Sequence, residues 1–167
     1  MEWVSERLVL RPMPAEAVEA ILQGDRSDDW AEDFPTEGDA VIARLLQAGE
    51  ATPGHGDEVL GHRQVVERST GIVVGGIGVR ETPEDGTVEV GYGMVPSRQG
   101  RGYATEAVVT LLAAVWRHED VRAVVAETLP DNVGSQRVLG RAGFIRNGEA
   151  EGGEWRYRIE RPVGGTA

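Results

Sequence analysis

The sequence contains no cysteine and no lysine, so all 17 of its basic residues are arginines. The absence of cysteine excludes a disulfide framework, a thiolate metal site and a thiol nucleophile. The absence of lysine excludes a P-loop nucleoside triphosphatase, whose GK[ST] lysine binds phosphate, and an enzyme that holds pyridoxal phosphate through a Schiff base. The histidines, His55, His62 and His118, are too scattered along the chain to predict a metal site.

Long hydrophobic runs are also missing. No apolar stretch approaches the ~18 residues that a membrane-spanning helix needs. The N-terminal segment MEWVSERLVLR is charged from its second residue, unlike a secretory signal peptide, and we therefore expect a cytoplasmic protein. A chain of 167 residues that is 40% hydrophobic can bury one sizeable core. We expect a single domain over residues 1–162 and a loose tail at 163–167.

The charge is unevenly distributed. Residues 1–91 carry 7 arginines against 19 acidic residues, whereas residues 92–146 carry 7 against 5. An acidic surface repels nucleic acid and anionic lipid and attracts cationic partners, so neither a nucleic acid nor a membrane is an expected partner. An anionic ligand would be tolerated best in the relatively basic segment.

Hydrophobic periodicity predicts an α+β fold with the element order β-α-α-β-β-β-α-β-α-β-β. The predicted strands cover residues 4–11, 59–68, 72–80, 87–95, 121–127, a segment beginning at 144, and 155–160. The predicted helices begin near Pro14, Gly38, Gly102 and Asn132. Short connections between the β-rich segments predict a single mixed, mainly antiparallel sheet of about seven strands, flanked by about four helices.

Residues 25–39 contain seven acidic residues and one arginine, together with Trp30 and Phe34. Such a run predicts a solvated loop. Aromatic rings among carboxylates suit the recognition of a cationic group, so we interpret Trp30 and Phe34 as candidate substrate-binding residues.

The segment VPSRQGRGYATEA, residues 95–107, places glycines and arginines between a predicted strand and a predicted helix. The free backbone N–H groups at a helix N-terminus can bind an anion without a lysine, and Arg98 and Arg101 add positive charge. The segment lacks the third glycine of a dinucleotide-binding fingerprint. Spacing alone leaves open an ordinary strand-to-helix connection.

Three ordered motifs carry a family resemblance. The spacing Gln99-x-x-Gly102-x-Ala104 resembles the acetyl-coenzyme A loop of the GNAT superfamily of N-acetyltransferases. The run from Asp131 through Asn132 and Ser135 to Gly143-Phe144 is similar to the helix that follows in that family. The opening Ser5-Glu-Arg-Leu-Val-Leu-Arg11 resembles the branch typified by ribosomal-protein N-terminal alanine acetyltransferases. The resemblance extends from about residue 5 to 160.

The resemblance implies acetyl-coenzyme A as cosubstrate. Backbone amides of residues 99–104 would bind its pyrophosphate, Met94 and Val95 would pair with the pantetheine arm, and Asn132 would contact that arm or only cap its helix. The fourth and fifth predicted strands would splay apart around the thioester. The implied binding residues are Met94, Val95, Gln99, Gly100, Arg101, Gly102, Tyr103, Ala104 and Asn132.

Acetyl transfer to an amine needs a base for the amine and stabilisation of the departing thiolate. By resemblance Glu89 is the candidate base, with a solvent-facing strand position as the alternative. The family's usual tyrosine place holds Leu139, and Ser135, which matches a serine that the N-terminal acetyltransferase branch often carries, is the candidate donor to the sulfur. A local role in satisfying free helix amides and an unassisted thiolate are the alternatives. Glu127 and Tyr92 are candidates for contacting the acceptor, with strand-end exposure and sheet packing as their respective alternatives.

The resulting hypothesis is an acetyl-coenzyme A-dependent N-acetyltransferase that works through a ternary complex. Its acceptor would be a peptide or protein N-terminal amine or a small cationic amine. A non-catalytic acyl-coenzyme A-binding module is the alternative. The sequence is compatible with a monomer and with a homodimer.

Overall fold

The computed structural model describes residues 1–51, 54, 60–81 and 85–164. In this part of the chain the strands are β1 (Trp3–Val4), β2 (Leu8–Pro12), β3 (Gly61–Glu67), β4 (Ile72–Glu81), β5 (Thr87–Met94), β6 (Ala123–Thr128), β7 (Ile145–Glu149) and β8 (Trp155–Glu160). The helices are α1 (Ala15–Gln23), α2 (Glu37–Ala48), α3 (Tyr103–Val115) and α4 (Val133–Arg141). His55 and residue 59, where the second predicted strand begins, lie outside the described residues.

The predicted α+β architecture is confirmed, with one difference at the N-terminus. The single strand predicted over residues 4–11 is a hairpin of β1 and β2, in which the Ser5 N–H donates to the Leu8 carbonyl over 2.9 Å. The turn at Ser5, Glu6 and Arg7 contains no glycine or proline, so the sequence carried no turn signal that would separate the two strands. The described sheet therefore has eight strands in the order β1-β2-β3-β4-β5-β6-β8-β7.

The only parallel pair among the described strands, β5 and β6, separates soon after it forms. Thr87 to Glu89 pair with Ala123 to Val125, and then β5 continues to Met94 with no partner on that side. On its other side β5 stays paired with β4 as far as Met94. The predicted splay between the fourth and fifth predicted strands is confirmed.

The helices cover both faces of the sheet. Helix α2 begins at a capping box in which the Thr36 side chain and Asp39 satisfy each other's backbone N–H groups. It lies over the face that carries Gly76, because Asp39 Oδ1 is 2.7 Å from where a Cβ on Gly76 would stand. Helix α4 lies over the opposite face, where its Ser135 meets the Tyr92 side chain of β5.

The interpretation of Trp30 and Phe34 as acceptor-binding residues is wrong. Their side chains are only 6% and 1% exposed, and their rings meet edge to face at 5.0 Å. The acidic run is held along β4, because the Ala31 N–H donates to the Val73 carbonyl and the Val73 N–H donates to the Asp29 carbonyl. Asp25, Asp28, Glu32 and Glu37 of this run are exposed and Asp39 is buried, while the aromatic rings enter the core.

His62 is a half-buried histidine of β3. It lies on β3 opposite Gly78 of β4, and its ring occupies the space that a Gly78 side chain would need. Burial lowers the pKa of His62 to about 4, so the imidazole is neutral at neutral pH.

Among the described residues, no helix combines the length and the apolar character that crossing a membrane requires.

Replacement of Phe34 tests its assignment to the core. We expect Phe34→Ala to lower the free energy of unfolding by ~3–5 kcal/mol, since it deletes a fully buried ring. Val109→Ala on α3 is the control, because Val109 is 49% exposed and its truncation should change stability by ~0.5 kcal/mol or less. Urea denaturation monitored by far-UV circular dichroism measures both. Equal stability of the two variants would contradict the packing of Phe34.

The depressed pKa of His62 predicts a loss of stability in acid. Between pH 6.5 and 4 the unfolded chain binds a proton at His62 that the folded protein excludes, so stability falls as the pH falls. From pH 7 to pH 5 the wild type should lose ~2 kcal/mol more than His62→Gln, as measured by urea denaturation at each pH. Parallel stability-versus-pH curves for the two proteins would contradict the burial of a neutral imidazole.

Candidate functional site

The loop between β5 and α3 presents a row of free backbone N–H groups. Gly100 and Gly102 both have positive φ angles, 76° and 80°, which turn the chain immediately before α3. The N–H groups of residues 100–104 donate no hydrogen bond to any described residue. Free N–H groups next to glycine turns at the positive end of a 13-residue helix are suited to binding an anion.

Gln99 plays a different part from the one expected. Its N–H donates to the Pro96 carbonyl over 3.2 Å, and its side-chain amide donates to the Met94 carbonyl over 3.1 Å. The expectation that its backbone amide is free for a pyrophosphate is therefore wrong, and the free amides begin at Gly100. A short 3-10 turn at Pro96–Arg98 causes this, because it already uses the Gln99 N–H. Both Met94 and Val95 are buried.

A buried carboxylate on β3 anchors this loop. The Glu67 side chain is 5% exposed and accepts hydrogen bonds from the Tyr103 hydroxyl at 2.7 Å and from Arg98 Nε at 3.3 Å. Arg101 lies 4.0 Å from the same carboxylate. The Tyr103 hydrogen bond, followed by weaker ones from Thr70 and Arg98, holds the pKa of Glu67 below its usual range. The sequence contained no signal for this anchor.

Two further contacts fix the loop from outside. Arg7 pairs with Glu106 of α3 at 2.7 Å, and it donates to the Arg101 carbonyl over 2.8 Å. Asp33 accepts from both the backbone N–H and the hydroxyl of Ser97, each at 2.8 Å. The N-terminal motif and the acidic run therefore both support the loop.

Glu89 is the last β5 residue that pairs with β6, so it stands where the two strands separate. Its side chain is 19% exposed, and both carboxylate oxygens contact the Arg80 guanidinium at 2.8–3.1 Å. A carboxylate has about four acceptor positions, so Glu89 can still accept from another donor. Arg80 is 72% exposed and is free to turn away.

On the opposite face of the sheet, Tyr92 meets Ser135. The two hydroxyl oxygens are 2.8 Å apart, and the Ser135 N–H donates to the Asn132 side chain, which caps α4. Burial raises the pKa of Tyr92 to about 12, so its phenol stays protonated. Tyr92 borders the cleft, but its hydroxyl is directed to α4, and Leu139 is fully buried.

More acidic groups stand across the gap. Glu127 of β6 pairs with Arg156 of β8 at 3.0 Å. Burial, and then a hydrogen bond shared with Glu127, raise the pKa of Glu154; the charge of Glu89 adds to this shift. Glu127 is therefore close to Glu154 and within electrostatic reach of the Glu89 end of the gap. Glu154 was not predicted, because it precedes a strand with no recognisable motif.

A cleft of about 830 Å³ leads along the sheet to Glu89. Its floor is β3, β4 and β5, and α2 forms one wall with Val41, Ile42 and Leu45. Asp39 and His62 also line this cleft. Of the acidic residues in the run at 25–39, only Asp39 lines the cleft, while Asp29 and Asp33 contact Arg11 and Ser97.

Known proteins share both sequence and fold with this chain. The family model for the acetyltransferase (GNAT) domain matches residues 7–145. The uncharacterized N-acetyltransferase YjdG of Bacillus subtilis is 35% identical over 95 residues, which are 56% of this chain and 56% of that protein. The chain thus spans about half the length of the curated relatives that it matches.

Two solved structures have the same fold at low sequence identity. The ribosomal-protein-S5-alanine acetyltransferase of Vibrio fischeri superposes with a TM-score of 0.68 at 18% identity, covering 98% of each chain. The aminoglycoside acetyltransferase AAC(6')-Ib, in complex with coenzyme A, superposes with a TM-score of 0.66 at 19% identity, covering 92% of this chain and 95% of that one. Together with the match over residues 7–145, the splayed sheet and its glycine loop establish that this chain belongs to the acetyltransferase (GNAT) family.

Proposed function

We propose that this protein transfers the acetyl group of acetyl-coenzyme A to a primary amine in a ternary complex. The observation that carries this proposal is the gap between β5 and β6, with Glu89 on one face and the Tyr92–Ser135 pair on the other. A thioester lying in that gap would be open to an amine from the cleft face and would have hydroxyl donors on the opposite face. The site would thereby offer both requirements of acyl transfer, a base for the amine and donors for the departing thiolate.

The residues around the gap fit a coenzyme A molecule. The free N–H groups of residues 100–104 are suited to a pyrophosphate, and the unpaired edge of β5 up to Met94 is suited to an extended amide-bearing arm. Asn132, at the start of α4, lies near that edge, because its side chain accepts from the Ser135 N–H and the Ser135 hydroxyl contacts Tyr92 of β5. The bound cosubstrate supplies an activated acetyl group and a thiolate leaving group.

Glu89 is the proposed base. An alkyl ammonium has a pKa near ~10, so most of the acceptor must lose a proton before its nitrogen can attack. Glu89 can accept that proton directly or through a water molecule, while Arg80 keeps the carboxylate in position. The C–N bond then forms as the C–S bond breaks, and the proton leaves on the cleft face.

Ser135 is the proposed donor to the departing sulfur, and Tyr92 positions it. Because the phenol of Tyr92 stays protonated, it can donate to Ser135 Oγ and leave the serine's own proton directed at another acceptor. This arrangement replaces the tyrosine that the resemblance places at residue 139. The fully buried Leu139 offers no donor there.

The acceptor is a primary amine of one of two kinds. The two solved relatives are named for different acceptors, a ribosomal-protein alanine and an aminoglycoside. The described cleft carries Asp39, Glu50 and Glu89 against Arg80, and this excess of negative charge favours a cationic acceptor. A screen of peptides and small amines, read out as thiol release from acetyl-coenzyme A, tests the activity directly.

The second candidate is a module that binds acyl-coenzyme A without turnover, favoured by the buried Leu139 in place of a tyrosine. Calorimetry with acetyl-coenzyme A separates the two candidates when it is combined with the same screen. Tight binding without thiol release for any amine would establish the module.

Replacement of Glu89 tests the base. We expect Glu89→Gln to lower kcat at neutral pH by ~10²-fold, because the variant keeps the contact with Arg80 but cannot take up a proton. The deficit should shrink at alkaline pH, where the free amine becomes abundant. Glu127→Gln, which removes the same charge on β6, is the matched control. An unchanged rate and pH profile for Glu89→Gln would exclude Glu89 as the base.

A double-mutant cycle tests the Tyr92–Ser135 pair. We expect Tyr92→Phe and Ser135→Ala each to lower kcat by ~10-fold, with little change in the KM for the acceptor. The double variant should be no slower than Ser135→Ala, because Tyr92 acts through the serine. Steady-state kinetics on all four proteins provides the measurement. Additive losses would show that the two hydroxyl groups act independently.

A further inference from the structure

Four glycines form an unusual floor in the cleft. Gly76 and Gly78 of β4 pair with Gly93 and Gly91 of β5, and all four line the cavity. At Gly76 a Cβ would stand 2.7 Å from Asp39, and at Gly78 it would stand 2.5 Å from the His62 ring, so packing explains these two. A Cβ at Gly91 or Gly93 would meet nothing within 4 Å.

Packing within the protein therefore does not require glycine at positions 91 and 93. Neither has a positive φ angle, and a glycine inside a strand weakens it relative to a residue with a side chain. A bare strand that faces an open cleft is what a ligand lying close to the backbone requires. The floor is open where the cleft approaches the gap.

Asp39 provides a polar group above this floor. Its side chain is buried, with the residue only 7% exposed, and Oδ2 accepts from the Thr36 N–H and hydroxyl at 2.8 and 2.7 Å. Oδ1 faces Gly76 and accepts no hydrogen bond from a described residue. Burial raises the pKa of Asp39, with the Thr36 hydrogen bonds opposing this shift, and a cationic N–H group at Oδ1 would stabilise the ionised carboxylate.

The two ends of the cleft are thus acidic and its middle is apolar. In the register of β4 and β5, Gly78 and Gly91 lie between the Asp39 end and Glu89, and Val41 and Ile42 of α2 line the same cleft. The neighbouring His62 is neutral and does not repel a cation. An acceptor that matches this pattern carries an ammonium group at one end, an alkyl segment in the middle and the reacting amine at the other end.

We propose that Asp39, together with the bare floor at Gly91 and Gly93, forms a subsite for a second ammonium group of the acceptor, so that the preferred acceptors are diamines or polyamines. This inference rests on the proposed acetyl transfer and specifies its substrate class. The second ammonium group binds at Asp39 Oδ1 while the first amine reacts beside Glu89.

The geometry sets the spacing of the two amines. Gly76, under Asp39, is four residues along β4 from Arg80, which pairs with Glu89. Four residues of a strand span ~13 Å, and a hydrogen bond of ~2.8 Å at each end leaves roughly 7–10 Å between the nitrogens. α,ω-Diaminoalkanes of intermediate length fit this span better than the shortest members of the series.

The test compares α,ω-diaminoalkanes from three to eight carbons with n-alkylamines of the same length. Binding to the protein loaded with coenzyme A is measured by calorimetry, and kcat/KM is measured by thiol release from acetyl-coenzyme A. We expect an intermediate diamine to exceed its matched monoamine by about 10- to 100-fold, the range for one charge-assisted hydrogen bond. Asp39→Asn should abolish this advantage.

Glu37→Gln is the matched control, because it removes one negative charge from the same first turn of α2 without touching the cleft. It should preserve the preference for diamines. Gly93→Ala serves as a second variant if Asp39→Asn is unstable. It should retain the melting temperature and weaken diamine binding, since its methyl group enters only open cleft space.

Three results would overturn the inference, the first two being equal use of diamines and monoamines by the wild type and an equal loss of preference in Asp39→Asn and Glu37→Gln. A preference for peptide N-termini that Asp39→Asn leaves unchanged would overturn it as well. Asp39-dependent diamine binding without acetyl transfer to any amine would instead refute the proposed function and leave the ammonium subsite standing.

Discussion

Strands β5 and β6 hydrogen-bond over only three residue pairs, and the geometry of the site depends on where that pairing stops. Each strand is fixed by hydrogen bonds to its outer neighbour. Strand β5 pairs with β4 as far as Met94, and β6 pairs with β8 from Ala123 to Thr128. The inner edges therefore remain open without collapsing. Unpaired backbone groups at such an edge favour an extended ligand that carries its own amides.

The anion loop depends on a second constraint, the buried carboxylate of Glu67. A carboxylate inside the protein is stable only when donors surround it, and Glu67 accepts from Arg98 of the loop and from Tyr103 at the start of α3, while the Arg101 guanidinium lies 4.0 Å away. Their attachment to Glu67 fixes the loop backbone, so its N–H groups are already aligned before a ligand arrives. Arg98 and Arg101, which the sequence suggested as charges for an anionic ligand, also lie against Glu67 and thereby help to fix the loop.

The sheet separates two kinds of chemistry. Alternation along β5 puts Glu89, Gly91 and Gly93 on the cleft face and Tyr92 on the face of α4. The Glu89 carboxylate and the Tyr92–Ser135 hydroxyl pair thus lie on opposite faces of the sheet beside one gap. Gly91 and Gly93 weaken β5 because no side chain packs there, and they leave open space on the cleft side of the strand.

The sequence by itself determined the glycine loop, the Asn132 cap and, apart from the β1–β2 hairpin, the element order, because each follows from local periodicity or from short-range spacing; the splay was implied by the resemblance to the GNAT superfamily. It also identified Glu89, Tyr92 and Ser135 as individual candidates. Only the tertiary structure decided that Tyr92 reaches Ser135 rather than an acceptor, that Trp30 and Phe34 enter the core, and that Asp39 faces the glycine floor. These outcomes depend on which face of an element meets which distant neighbour, and local sequence spacing does not encode that information.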